Sequence, residues 1–330
     1  MGEMATTVRM PAVFEIISEN IMKHSSPLAL KTSEVSAWSK TMNLPKTGEI
    51  LFYTGGEYQL LPYIDSLVKT MTLVDQGSKA FSFMMGVRNF LNKGGISAEK
   101  LYASVLAKDR ERYNAICYKA AAILQKLGYP LCYNDEEVYS GALLYELGYQ
   151  DDLITYAERV SALIKNSGAK TVVCLSPHAA EMLKLIYPSL ISDFPKVEVR
   201  TFVELIWEQK DKLPKINYDQ SVAIHDSCRL ARELNIAEEI REVLDCVGVH
   251  YHEPFRNKKW TTCCGGPSKL VYPEISQTIA ARRVAELQDT GAQVFLTTCP
   301  YCLAALEGAH DQKSGAIEDL IEFIYRGYVE

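Results

Sequence analysis

Six of the nine cysteines fall between Ile224 and Cys302, and five of them stand in three short turns. These five are Cys228 in IHDSCRL, the adjacent pair Cys263 and Cys264 in WTTCCGGP, and Cys299 with Cys302 in TTCPYCLAAL. The stretches between Cys228 and Cys263 and between Cys264 and Cys299 are both 34 residues long. Three short cysteine-bearing turns can therefore converge after equal lengths of intervening structure, the pattern of a metal site.

The elements around these turns read as an α/β fold. SVAIH is a strand followed by a turn at DSC, a helix runs over IAEEIREVLDCVG, and the TTCCGGP turn leads into the helix SQTIAARRVAELQDTG. QVFLTT is then a strand entering CPYCLAALEG. Strands alternating with helices predict a parallel sheet with the chemistry at the C-terminal ends of its strands.

The first half runs in the same order. Residues 1–49 read as an N-terminal arm with one short amphipathic helix in PAVFEIISENIMKH, expected to pack against the rest, with docking onto another subunit as the alternative. ILFYT is a buried strand with Gly55-Gly56 as its turn, and a long helical tract from Asp65 to Leu127 is interrupted near Asn92 to Gly95. The piece ERYNAICYKAAAILQKLG ends on Gly128 as a C-cap, a further helix covers Asp152 to Asn166, and TVVCL is a strand entering SPHAAEMLKL.

Gly168-Ala169 to Ser176-Pro177 is the same eight-residue step as Gly291-Ala292 to Cys299-Pro300, and Ser140 to Ser176 is 36 residues against 35 for Cys264 to Cys299. The halves thus superpose, with Gly56 standing at Cys228, Tyr139 and Ser140 at Cys263 and Cys264, Ser176 at Cys299 and Ala179 at Cys302. All five cysteine positions are vacant in the first half. Cys117, Cys132, Cys174 and Cys246 read as buried small hydrophobes. Two pseudo-symmetric Rossmann-like domains are expected, over 50–215 and 216–330, the first carrying a helical insertion at about 65–108.

A chain of 330 residues exceeds the usual span of one core, which agrees with two domains. The net charge of -6 and pI near 5.7 argue against a nucleic-acid partner. No apolar run approaches the ~18 to 20 residues of a transmembrane segment, and the start lacks the basic-then-apolar order of a secretory signal. An odd number of clustered cysteines favours thiolates in a reducing compartment over disulfides, so the expected location is cytoplasmic, with any membrane association through partners.

Thiolates select zinc, copper(I) and iron-sulfur clusters. Zinc takes four ligands in a tetrahedron, which five cysteines with an adjacent pair fit badly. Adjacent residues in a turn can direct two sulfurs at different irons of a larger cluster, and Gly265-Gly266 would let the backbone approach inorganic sulfide. Iron-sulfur is therefore favoured, with zinc as the alternative.

The pattern of C, then CCG, then CPxC resembles the cysteine-rich CCG domain of heterodisulfide reductase and of heterodisulfide-reductase-like iron-sulfur subunits, over about Ile50 to Gly308. The resemblance implies a noncubane-type [4Fe-4S] cluster held by Cys228, Cys263, Cys264, Cys299 and Cys302. In paired-cluster members two such clusters split a disulfide between them. Here Gly56, Tyr139, Ser140, Ser176 and Ala179 leave the first half a degenerate CCG domain. No ferredoxin module with closely spaced cysteines precedes Cys117, so electrons are expected to pass to or from a ferredoxin-like iron-sulfur subunit and a flavoprotein subunit.

The expected function is an oxidoreductase subunit carrying electrons in a heterodisulfide-reductase-like complex acting on thiol, disulfide or sulfane sulfur. The alternative is a non-catalytic assembly subunit with a structural cluster or zinc. Tyr53, Tyr58, Tyr139, Ser140 and His178 are expected around the vacated space, with His178 and Tyr139 as weak catalytic candidates and space-filling as the plainer reading. His225 and Asp226 stand close enough to Cys228 to tune a cluster through hydrogen bonds, or else to satisfy backbone groups, Asp226 as a helix cap. No G-x-G-x-x-G follows a strand and no hydrolase triad is visible.

Overall fold

The computed structural model describes residues 12–63, 109–270, 272–311 and 315–329. The helical insertion expected at about 65–108 lies outside these residues.

The most apolar runs form the centre of two sheets. In the first half β1 (Ile50–Tyr53) lies between β2 (Leu131–Cys132) and β3 (Thr171–Cys174), and β4 (Glu198–Thr201) flanks β3. In the second, β5 (Val222–His225) lies between β6 (Tyr251–His252) and β7 (Val294–Thr297), and β8 (Ala316–Asp319) flanks β7. All pairings are parallel, and Ile50 opposite Thr171 in one sheet matches Val222 opposite Val294 in the other. Unbroken hydrophobic strands such as VAIH and VFLT suit a parallel sheet covered on both faces, and every residue of these two is buried. The sequence predicts two strands in each half; the structure adds an outer strand on either side of each pair. Those outer strands are two residues long or carry charge, as in EVRT and AIED, so they lack the apolar run by which a strand is recognised.

Helices cover the sheets. They include α1 (Ala12–His24), α2 (Arg110–Lys126), α3 (Gln150–Ser167), α4 (Pro177–Glu181) and α5 (Phe202–Glu208) in the first half. The second half contributes α6 (Glu238–Val247), α7 (Pro273–Gln288), α8 (Pro300–Ala309) and α9 (Leu320–Tyr325). The amphipathic α1 buries Phe14, Ile17 and Ile21 in the core of the first half, the packing role expected of the arm. Gly128, with φ +94°, follows α2 and ends it where a side chain would be strained.

A shared core joins the halves, with Phe52, Ile116 and Phe202 from the first in one cluster with Val222, Leu296 and Phe323 from the second. Matched positions also meet: His178 and Tyr301 each stand four residues past the end of β3 or β7, and their rings lie 4.5 Å apart. A residue touching its own counterpart marks a pseudo-twofold axis. It turns the C-terminal ends of the two sheets toward each other, so the turns that follow β1, β3, β5 and β7 share one region.

Candidate metal centre

Cys228 stands three residues past β5, on the turn entering a single π-helical turn over Arg229–Glu233. Cys299 stands two residues past β7 and precedes Pro300, which with its fixed φ starts α8 and leaves Cys302 in the first helical turn. Cys263 and Cys264 arrive on the loop after β6. Gly265 has φ +80°, and a Cβ there would lie 2.7 Å from the carbonyl oxygen of Ser276. A Cβ on Gly266 would lie 3.3 Å from Cys264 Sγ. The two glycines therefore let the backbone fold tightly behind the sulfurs.

The five thiols meet. Neighbouring sulfurs interact in the order Cys228, Cys263, Cys264, Cys302, Cys299, and none is in a disulfide. Cys264, Cys299 and Cys302 are buried, whereas Cys228 and Cys263 are partly exposed. The N–H groups of Gly265 and Gly266 donate to Cys263 Sγ and Cys264 Sγ, each at 3.4 Å. Such crowding separates the titrations. Hydrogen bonding to a neighbouring sulfur pushes Cys228, Cys264 and Cys302 up, and hydrogen bonds from Cys228 and Cys264 hold Cys263 down at about 2. Cys299, which burial alone would raise, is held low by Cys302 and His178. Five thiolates this close require a cation to ionise together.

Unpartnered buried donors surround the cysteines. Among the described residues His225 Nε2, Ser227 Oγ, Thr297 Oγ1 and Thr298 Oγ1 are buried without a hydrogen-bond partner. All belong to residues within three positions of Cys228 or Cys299. A ring nitrogen of His225 lies within 4.8 Å of Cys264 Sγ and Cys302 Sγ. The orphaned donors and the soft five-sulfur set fit a cluster that offers its own sulfide acceptors.

His225 Nδ1 accepts from Arg283 Nε at 2.9 Å, and burial with the Arg283 charge lowers the imidazole well below its usual range, leaving it neutral. Asp226 caps no helix among the described residues but does satisfy a backbone group, as the sequence allows. It accepts from both Nη atoms of Arg241 and from the Lys258 N–H, while Arg241 also grips Glu253 at 2.8 Å. This ties the loop leading to Cys263 to the end of β5.

The registered positions of the first half are closed by a residue that the sequence reading passed over. Glu57, fully buried, accepts from Ser140 Oγ at 2.6 Å and from Ser176 Oγ, the residues standing where Cys264 and Cys299 stand in the second half. A Cβ on Gly55 would meet Ala179 Cβ at 3.1 Å and Ser140 Cβ at 3.2 Å. Burial raises Glu57 to about 7 against the opposing pull of His178 and the two hydroxyls. Its signal was a carboxylate directly after Gly56, beside serines at two cysteine positions. Tyr53 and Tyr58 turn elsewhere, donating to Val138 O at 3.0 Å and Asp319 Oδ2 at 2.7 Å. Tyr139 Oη accepts from the Leu143 N–H.

His178 links the halves. Its Nδ1 is 3.8 Å from Cys299 Sγ and 3.9 Å from Glu57 Oε2, and its Nε2 is 3.5 Å from Glu146. Burial alone would lower it, but Cys299, Glu146 and Glu57 raise it to about 9. Arg229, next to Cys228, crosses to Glu181 and to Glu146 at 2.7 Å. Cys117, Cys132 and Cys174 are buried away from this centre, as expected, but Cys246 is partly exposed at the end of α6. Its small-hydrophobe reading is corrected.

The Cysteine-rich domain family, CCG, matches residues 222–307. Over 215 residues the chain is 30% identical to one subunit of the dihydromethanophenazine:CoB–CoM heterodisulfide reductase of Methanosarcina acetivorans, covering 62% of this chain and 52% of that protein. It is 26% identical over 263 residues to the EtfAB:quinone oxidoreductase of Syntrophomonas wolfei, covering 73% and 36%. With one subunit of the fumarate reductase (CoM/CoB) of Methanothermobacter marburgensis it shares 23% over 212 residues, covering 62% and 42%. The chain spans about half the length of the heterodisulfide reductase subunits it matches. Among solved structures a putative Asp/Glu racemase from Yersinia pestis aligns with 85% of this chain and 97% of its own at 10% identity, but a TM-score of 0.32 supports no comparison. No helix among the described residues is long and apolar enough to cross a membrane. Residues 222–307 are thus a cysteine-rich CCG domain, in a chain similar to heterodisulfide reductase and related iron-sulfur oxidoreductases.

Proposed function

We propose that this chain is an iron-sulfur electron-transfer subunit of a heterodisulfide-reductase-like system, holding one cluster on Cys228, Cys263, Cys264, Cys299 and Cys302. The observation that carries this is the convergence of five sulfurs, ringed by buried donors that have no acceptor among the described residues. The resemblance to CCG-domain iron-sulfur subunits supports a noncubane [4Fe-4S] cluster, and adjacent Cys263 and Cys264 can address different irons of it. When bound, such a cluster supplies a redox couple close to the surface at Cys228 and Cys263 and shielded from water at Cys299 and Cys302.

The domain holding this centre spans 216–330, and its counterpart over 50–215 is a packed partner. Glu57 fills the registered site of that counterpart, so opposed-cluster cleavage of a disulfide does not follow from this chain alone. A thiol, disulfide or sulfane sulfur is the substrate class that agrees with the relatives. A ferredoxin-like iron-sulfur protein, with a flavoprotein beyond it, is the matching electron partner. His178 and Tyr139 remain the candidates for proton handling on the interior side.

A redox titration of the anaerobically purified protein tests the reading. A cluster reduced and reoxidised reversibly supports electron transfer. A redox-silent cluster, or a zinc ion, would support the second reading, a non-catalytic assembly subunit, which the closed first half also suits.

A further inference from the structure

Arg283 is the largest fully buried side chain among the described residues, and its Nε–H donates to His225 Nδ1 at 2.9 Å. A guanidinium donates only, so Nδ1 must present its lone pair. The ring proton of the neutral imidazole then sits on Nε2, which is buried and has no partner among the described residues. One ring nitrogen of His225 lies within 4.8 Å of Cys264 Sγ and Cys302 Sγ, and with Nδ1 taken, Nε2 is the nitrogen left to address sulfur. A buried donor without an acceptor is destabilising, and negatively charged sulfur would relieve that cost.

We infer that Arg283 locks His225 in the Nε2–H tautomer, making His225 a hydrogen-bond donor to the Cys264–Cys302 edge of the iron-sulfur centre and not one of its ligands. This rests on the proposed cysteine-held cluster. Coordination through Nε2 would instead require the proton on Nδ1, where two donors would face each other across 2.9 Å. Arg283 is a positioning residue. A donor to sulfur stabilises the more negative, reduced state, so the pair raises the reduction potential.

The test uses the anaerobically purified, cluster-loaded chain and compares wild type with H225L, H225Q, R283L and H225L/R283L. Iron content, reduction potential and nitrogen hyperfine coupling to the reduced cluster are read for each. The wild type should show only weak nitrogen coupling. H225L should keep its iron while its redox equilibrium shifts about tenfold toward the oxidised form, ~59 mV for one electron. H225Q, which retains an N–H donor, should recover most of the shift. R283L should shift in the same direction, and adding it to H225L should change little further. Strong coupling of directly bound nitrogen in the wild type would overturn the inference without needing any variant. So would an unchanged potential in H225L with full iron, or additive shifts in the double variant, which would mean that Arg283 acts through its own charge. A wild type without iron would overturn the proposed function itself, and this inference with it.

Discussion

Ser176 donates its hydroxyl to the buried carboxylate of Glu57 at the position where the second half carries Cys299. The first half thus has the same turn with a hydroxyl bonded to an internal acid where the second half has a sulfur. Ser140 makes the same exchange for Cys264 from the other side of the carboxylate. The two buried acids of this region, Glu57 and Glu137, are both raised to about 7 by burial.

Glu137 gives a pH dependence. It accepts from Thr54 Oγ1, from the Thr54 N–H at 3.0 Å and from the Gly56 N–H at 3.2 Å. A carboxyl raised from 4.5 to about 7 holds its proton more tightly folded than unfolded. Its contribution is thus present below about pH 4.5 and is lost as pH rises toward 7. E137Q keeps an acceptor oxygen but does not titrate. Urea unfolding between about pH 5 and pH 7 should show the wild type losing stability relative to E137Q, on the order of 1 kcal/mol per pH unit. Parallel pH profiles would contradict this.

Much of this was legible in the sequence because the signals were local. The central strands are largely apolar runs, Gly55, Gly56, Gly128 and Gly265 mark positive-φ turns, and the equal cysteine spacing predicts three turns that converge. The outer strands were not legible, since LC and YH are two residues long and EVRT and AIED hold their places through pairing with a neighbour. Glu57 was missed for a related reason. A lone glutamate reads as solvated until the fold brings Ser140 and Ser176, 83 and 119 residues away, onto its two oxygens. Asp226 looked like a helix cap because its partner Arg241 is on a different element.

Breaking the Asp226–Arg241 pair should be costly. Both side chains are almost fully buried, at 1% and 4% exposure. R241M would leave Asp226 as an uncompensated buried charge, an expected loss of about 3–5 kcal/mol. The double variant D226N/R241M should lose less than R241M alone. Equal losses in chemical denaturation would show that the charge is not the cause.

Gly265 is required by geometry. In G265A the new Cβ would sit in the left-handed region, at a cost of ~1–2 kcal/mol, and 2.7 Å from Ser276 O. Iron content should fall together with the melting temperature. Retention of wild-type iron and melting temperature would mean that the CCG turn tolerates a side chain.

Alkylation should report which sulfurs are committed. Cys228, Cys246 and Cys263 are the partly exposed cysteines. In cluster-loaded protein Cys246 alone should react, and after chelation Cys228 and Cys263 should join it, with Cys117, Cys132 and Cys174 protected throughout. Peptide mass spectrometry reads this directly. Labelling of Cys228 in the loaded protein would remove it from the ligand set.

We propose one iron-sulfur cluster in the second half and none in the first. Iron, sulfide and zinc counts per chain on anaerobically purified protein test it most directly. About four irons with matching sulfide are expected. About eight irons would mean that the first half also binds a cluster, and about one zinc without sulfide would mean that the five cysteines hold a different metal; either result would contradict it.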